Sequence, residues 1–149
     1  MPSSTNIPCN LNNTSWFREI DASGGAVFFA AGVFYYFLTG QVKTLVCALA
    51  AAFPDGRIVF DAANRSAVKL MLKTWIRQAK IRDVGAYFAV ADAKKELSTW
   101  SEKLSISSRG YMLGYQTLDD PSVSGFFRFL AKVGDGMMKM QIVRLDFQR

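Results

Sequence analysis

Tyr35, Tyr36 and Gly32 follow closely on an apolar run, Ala26-Val27-Phe28-Phe29-Ala30, that reads as a strand. A parallel sheet opens its ligand crevice at the carboxyl edge of its strands, and these three residues would stand at that edge. A phenol there hydrogen-bonds a ligand oxygen or walls an aromatic pocket; otherwise it packs in the core. Gly32 either lets the backbone approach a ligand closely or simply turns the chain. Asp61 ends a second apolar strand, Arg57-Ile58-Val59-Phe60-Asp61. It would bind a ligand or metal, or cap a helix starting near Arg65, and capping is the expected role. The chain has no histidine, which removes Ser-His and Cys-His nucleophile pairs and His-containing zinc sites. Acid-base chemistry falls to carboxylates, Lys, Tyr or water. Cys9 and Cys47 share no metal or redox spacing and read as buried, reduced thiols of a cytoplasmic protein. No metal site is expected.

The elements that must position these residues follow from periodicity. The strand at 26–30 is apolar on both faces, as in parallel sheets covered by helices on both sides. A helix is expected from about Gln41 to Phe53, with Val42, Leu45, Val46 and Leu49 as its buried stripe. Phe53-Pro54-Asp55-Gly56 is a stop and turn before the second strand, so strand, helix and strand form a right-handed crossover unit. A basic amphipathic helix follows from about Arg65 to Gln78. Arg65, Lys69, Lys73 and Arg77 line one face, and Val68, Met71, Leu72, Trp75 and Ala79 the other. The stretch from Ile81 to Val90 is ambiguous. Asp92 caps a helix to about Leu104, and Ile106 to Leu118 is a strand region broken by Gly110 and Gly114. Asp120-Pro121-Ser122 opens a helix through Phe126, Phe127 and Leu130 that Gly134 and Gly136 end. Met140 to Phe147 is a final strand. Trp75, Trp100, Phe126 and Phe127 are expected in the core.

The 149 residues suffice for one core, and with half of them apolar the chain is globular. Residues 1–15 are a polar lead-in, after which Ser15 would cap a short turn containing Trp16, Phe17 and Ile20; residues 1–25 are taken as an irregular lead-in to the domain at 26–149. The start, Met-Pro-Ser-Ser-Thr-Asn, has no basic segment and no apolar run, so no secretory signal is expected. The run from Ala26 to Leu38 is shorter than the roughly 18 residues of a spanning helix and is interrupted by Gly32, so no membrane span is expected. The formal charge of +6 lies wholly beyond residue 60. A solvated helix face is the expected explanation, and a nucleic-acid patch is the alternative. No glycine-rich dinucleotide loop follows a strand at the front.

Four stretches in order suggest a family. Asn10-Leu11-Asn12-Asn13-Thr14-Ser15-Trp16 resembles a D-L-x-D-x-x-W segment, and Ala30-Ala31-Gly32-Val33-Phe34-Tyr35-Tyr36-Phe37 resembles A-E-G-V-x-x-Y-L. Phe53 through Asp61 resembles the next strand with its lead-in, and Gly136 through Phe147 the last strand. Together they resemble the leucine carboxyl methyltransferase family, which includes polyketide O-methyltransferases of the tetracenomycin type. The resemblance covers about residues 9–147. It implies an α/β fold, a partial Rossmann-like class I methyltransferase sheet with flanking helices, in which this chain supplies strands four to seven. The family's first three strands, with the glycine-rich cofactor loop and the ribose-binding acid, are not in it.

The resemblance further implies an S-adenosylmethionine-dependent O-methyltransferase acting on a carboxylate or hydroxyl of a small molecule. Asn10, Leu11, Ala30, Ala31 and Gly32 would flank the cofactor, and Tyr35 and Tyr36 the methyl acceptor, with Tyr36 matching the family's tyrosine. Ala31 stands where the family has Glu, and Asn10 where it has Asp. The isolated chain is therefore expected to bind the cofactor very weakly or not at all. Strand four pairs with strand one in the family, so the strand at 26–30 would have an open edge, and a homodimer through residues 26–34 is expected. Two other readings stay open: a non-catalytic dimerising or partner-binding half-domain, and a basic nucleic-acid-binding domain.

Overall fold

The computed structural model describes residues 6–76, 85–114 and 118–149, the side chains of Trp75 and Ile76 excepted. Arg77, Ala79, the start of the ambiguous stretch at 81–90 and part of the strand region expected at 106–118 lie outside the described residues. Four strands form one mixed sheet: β1 (Val27–Ala30), β2 (Arg57–Ala62), β3 (Leu104–Gly110) and β4 (Gln141–Phe147), in the order β1-β2-β4-β3. β1 and β2 are parallel; β4 runs antiparallel to both of its neighbours. β1, β2 and β3 therefore end at the same edge of the sheet. The helices are α1 (Thr39–Ala52), α2 (Arg65–Met71), α3 (Ala93–Leu97) and α4 (Gly125–Lys132).

α1 is built mostly of good helix formers and is anchored at its start by Gln41, whose Oε1 accepts from the Leu38 N–H at 2.8 Å. Val42, Leu45, Val46 and Leu49 form its buried stripe as their spacing requires. They pack on Ile58, Phe60, Val143 and Leu145 of the sheet and on Phe34, Phe53, Phe88 and Val90. Phe34, Phe60 and Phe88 meet with ring centroids 5.1–6.0 Å apart. Each such side chain contributes about 1.5–3 kcal/mol by leaving water. The helix stops at Phe53-Pro54-Asp55-Gly56, with Asp55 at a positive φ of 65°. A Cβ on Gly56 would lie 2.8 Å from the Phe53 carbonyl oxygen, so the turn into β2 requires glycine.

The sheet departs from expectation on one face. Phe28, Ile58, Phe60, Val143 and Leu145 are covered, but Val27 and Phe29 are 56% and 76% exposed. Their face continues across Arg57, Val59, Arg144 and Asp146, whose exposed ion pairs contribute little. The apolar character of β1 on both sides thus does not mean two covering layers among the described residues. The lead-in is not separate either. Leu11, Trp16, Phe17, Ile20 and Ala22 pack against the core, with Phe17 5.4 Å from Phe53. Its short turn spans Ser15–Glu19, and Asn13, not Ser15, supplies the side chain at its start by accepting from the Ser15 N–H at 3.2 Å.

Three boundaries differ from the periodicity. α3 is capped by Asp92, which accepts from the Lys95 N–H at 3.0 Å, but it ends at Leu97. The Ser98 and Thr99 hydroxyls turn back onto the Lys95 and Glu96 carbonyls, and seven register pairs with β4 claim Leu104–Gly110 as strand. α4 starts at Gly125 because Ser124 is its cap, accepting from the Phe127 N–H at 3.2 Å. Asp120 instead closes a local turn on the Ser122 N–H at 2.8 Å. Gly134 and Gly136 do not end that helix; it runs on through a π-helical turn, Val133–Met137. Finally, Phe126, Phe127, Phe129 and Leu130 are exposed. α4 buries Ala131 and turns Arg128 inward, its Nη2 donating to the Asp120 carbonyl at 2.7 Å. Phe126 and Phe127 are therefore not core residues, whereas Trp100 is half-buried against the core.

Candidate functional site

Chain geometry brings Gly32, Asp61 and Tyr111 together, since each stands at the carboxyl end of one of the three strands that finish at the same edge. They line a cleft of about 560 Å³ with Tyr35, Tyr36, Ala63, Val68, Met71, Thr74, Met138 and Met140. Its walls are mainly apolar, and Asp61 is the charged side chain among the described lining residues.

Gly32 has a φ of +66°, a conformation that glycine reaches without strain. In that turn its N–H points at β2 and donates to the Asp61 Oδ1 at 2.6 Å. A short 3₁₀ turn, Phe34–Tyr36, follows. It buries Phe34 in the main core and Tyr35 in a smaller cluster with Ala63, Ala67 and Val68. The Tyr35 carbonyl accepts from the Tyr87 N–H at 2.7 Å, which holds the segment at 85–90 beside it. The buried Tyr35 hydroxyl lies beside Asp61. Burial first, and then the Asp61 charge, push this phenol well above its ordinary range. Tyr35 thus keeps its proton at neutral pH and is no base. Tyr36 is 44% exposed and lines the cleft.

Asp61 does not cap α2. Asn64 does, accepting from the Ala67 N–H at 3.0 Å while its Nδ2 donates to the Met137 carbonyl at 2.9 Å. That second bond, with the Asn64 N–H on the Met138 carbonyl at 2.9 Å, ties the turn after α4 to the start of α2. It sets Met138 and Met140 at the cleft. Asp61 was visible in the sequence as a strand-end carboxylate. Its role was missed because a cap three residues further on competes for the same reading. Tyr111, Met138 and Met140 had no local signal; they arrive through the pairing of β3 and β4.

The residues expected at the cofactor do not converge. Gly32 is in the tyrosine cleft, Ala30 is buried as the last residue of β1, and Ala31 is exposed. Leu11 belongs to a different cleft of about 360 Å³, over the start of α1, with Asn12, Thr14, Gly40 and Gln41. There Gln41 Nε2 donates to Asn12 Oδ1 at 2.9 Å. Asn10 is exposed, its Oδ1 accepting from the Asn12 N–H at 2.9 Å. The two clefts share no lining residue. These five residues do not by themselves make a pocket that fits S-adenosylmethionine.

Other carboxylates and cations serve locally. Asp135 accepts from the Met112 N–H at 2.9 Å and the Leu113 N–H at 2.6 Å, fixing the loop after β3. A Cβ on Gly110 would collide with that Asp135 carboxylate. Arg65 and Lys69 are exposed on α2 and Lys73 on the π-helical turn that continues it, Leu72–Ile76, with Val68 buried opposite. Cys9 is exposed rather than buried; Cys47 is half-buried, and both are free thiols. Among the described residues no three Cys, Asp or Glu side chains group as a metal site, and no helix is long and apolar enough to cross a membrane. Comparison of the chain with models of known protein families and with curated proteins finds no match.

Proposed function

We propose that this chain is the C-terminal, acceptor-binding portion of a cytoplasmic S-adenosylmethionine-dependent O-methyltransferase acting on a small molecule. The observation that carries the reading is the cleft at the common carboxyl edge of β1, β2 and β3, where Gly32, Tyr35 and Tyr36 meet Asp61. It is the crevice in which an open α/β sheet binds ligands, and its volume falls within the range of small-molecule sites, about 300–1,000 Å³. Methyl transfer from a sulfonium is an in-line displacement governed by orientation, so a site without histidine suits it. In this reading the chain's residues hold and orient the acceptor. The cofactor's own pocket needs further strands, which would pair at the free edge of β1. The reading is tested by joining the chain to the upstream half in its reading frame and measuring transfer of labelled methyl. Tyr36→Phe is then expected to lower transfer while leaving thermal stability unchanged. A joined, folded polypeptide that transfers no methyl would remove the reading. Calorimetry of the chain alone should show little or no binding of S-adenosylmethionine.

One observation favours a second reading, a dimerising or partner-binding half-domain. The Ala26 carbonyl accepts from the Arg57 N–H at 3.0 Å. By the alternation of a parallel ladder, Val27 and Phe29 therefore present their backbone N–H and C=O groups to the outer edge. The same two residues carry the exposed apolar side chains. Such an edge is a template for another strand, and a second copy pairing antiparallel would close it with two-fold symmetry.

A further inference from the structure

We infer that the tyrosine cleft binds apolar aromatic ligands bearing an uncharged hydroxyl, held by that hydroxyl on the Asp61 carboxylate. This rests on the reading of the cleft as the methyl-acceptor site and narrows the acceptor from a carboxylate or hydroxyl to a hydroxyl.

The polar chemistry of the cleft is lopsided. Asp61 is its charged group, and among the described lining residues there is no lysine or arginine. A ligand carboxylate would meet a like charge across a mainly apolar wall, with no cation among the described lining residues to compensate it. Asp61 already accepts from the Gly32 N–H. A carboxylate offers about four acceptor positions, so it keeps room for another donor, and the Gly32 donor fixes its orientation at the cleft. Thr74 Oγ1 is committed to the Leu70 carbonyl at 2.8 Å. Tyr36 and Tyr111, both 44% exposed, bring two more phenols to the same space. A ligand hydroxyl has one proton and two lone pairs. Asp61 accepts the hydrogen bond from that hydroxyl, and a tyrosine hydroxyl donates to its oxygen. An ammonium group would bring three donors, more than Asp61 and the phenols meet in a wall that is otherwise Met71, Met138, Met140 and aliphatic carbon. The tyrosine rings and methionine thioethers suit a flat aromatic body.

Three probes of one shape and different charge test this on the chain as it is: naphthol, naphthoate and naphthylmethylammonium, titrated at neutral pH and followed by NMR. Naphthol should saturably shift the Gly32 amide and the Met138 and Met140 methyls. It should bind about tenfold tighter than naphthoate, the order expected of one hydrogen bond to a charged group. Asp61→Asn keeps an acceptor for Gly32 but removes the charge, and it should bring the two affinities together. Naphthoate binding as tightly as naphthol, the ammonium binding tighter than both, or no probe shifting these signals would each overturn the inference. If Asp61→Asn does not fold, the ranking of the three probes on the native chain still decides. Methyl transfer to a carboxylate by the joined polypeptide would overturn the hydroxyl preference and leave the methyltransferase reading standing. Naphthol binding with no transfer from that polypeptide would do the reverse.

Discussion

α1 and α4 are both amphipathic helices rich in apolar residues, yet they sit in opposite ways. α1 buries Val42, Leu45, Val46 and Leu49 against the sheet. α4 turns Phe126 and Phe129 to solvent, at 71% and 61% exposure, and faces Arg128 inward. The difference lies in what each helix connects. α1 crosses between β1 and β2, which pair in parallel, and a crossover helix must lie back over its sheet. α4 joins β3 to β4, antiparallel neighbours already paired along seven residues. Nothing in that connection forces it onto the covered face. The same contrast separates Phe28 from Phe29 on β1: one packs 5.1 Å from Phe53, and its neighbour faces water. Apolar composition therefore marks a surface to be covered, while topology decides whether this chain covers it.

Substitutions break the comparison in order of expected size. Leu49→Ala, beneath α1, should cost about 2–5 kcal/mol in denaturant unfolding; a loss below about 1 kcal/mol would mean α1 is not the core helix. Tyr35→Phe removes a buried hydroxyl beside Asp61 and should cost about 0.5–1.5 kcal/mol. It also tests the sign of a pH effect. The folded phenol holds its proton more tightly than the ordinary value of 10.0. Its contribution to stability is therefore complete below that pH and is lost as pH rises above it. The variant should lose less stability than the native chain in the alkaline range, measured by unfolding across pH; identical profiles would mean that burial does not hold the Tyr35 proton.

On the uncovered side the effects should be small for folding and large for association. Phe29→Lys should change stability by no more than about 0.5 kcal/mol and convert a dimer to monomer in light scattering. A dimer indifferent to the charge would clear the β1 edge of any role. Phe28→Lys cannot serve for this, because it would also bury a charge against Phe53. Smallest of all, Phe126→Ser should leave unfolding within about 0.5 kcal/mol. A loss of several kcal/mol would show that α4 packs inward after all.

Much was readable from the residues alone. The apolar strand at Arg57–Asp61, the final strand at 140–147 and the buried stripe of α1 are local signals, and those elements stand where the signals put them; the Asp92 cap placed the start of α3 but not its end. Gly32, Tyr35 and Tyr36 were legible as a strand-end group for the same reason, since period and turn chemistry act over a few residues. Tertiary structure decided what depends on pairing between distant segments. The N–H of Gly32 reaches Asp61, and Tyr35 comes to lie beside it, because β1 and β2 lie side by side. Tyr111 and Met140 join them because β4 pairs with both β2 and β3. Of Asn10 and Leu11, expected to flank the cofactor, Leu11 packs against the core beside α1, where Gln41 bonds Asn12, and Asn10 is exposed. Whether an apolar side chain is buried, as Phe28 is in part and Phe29 is not, rests on which face of the sheet finds a covering layer, and no local period carries that information.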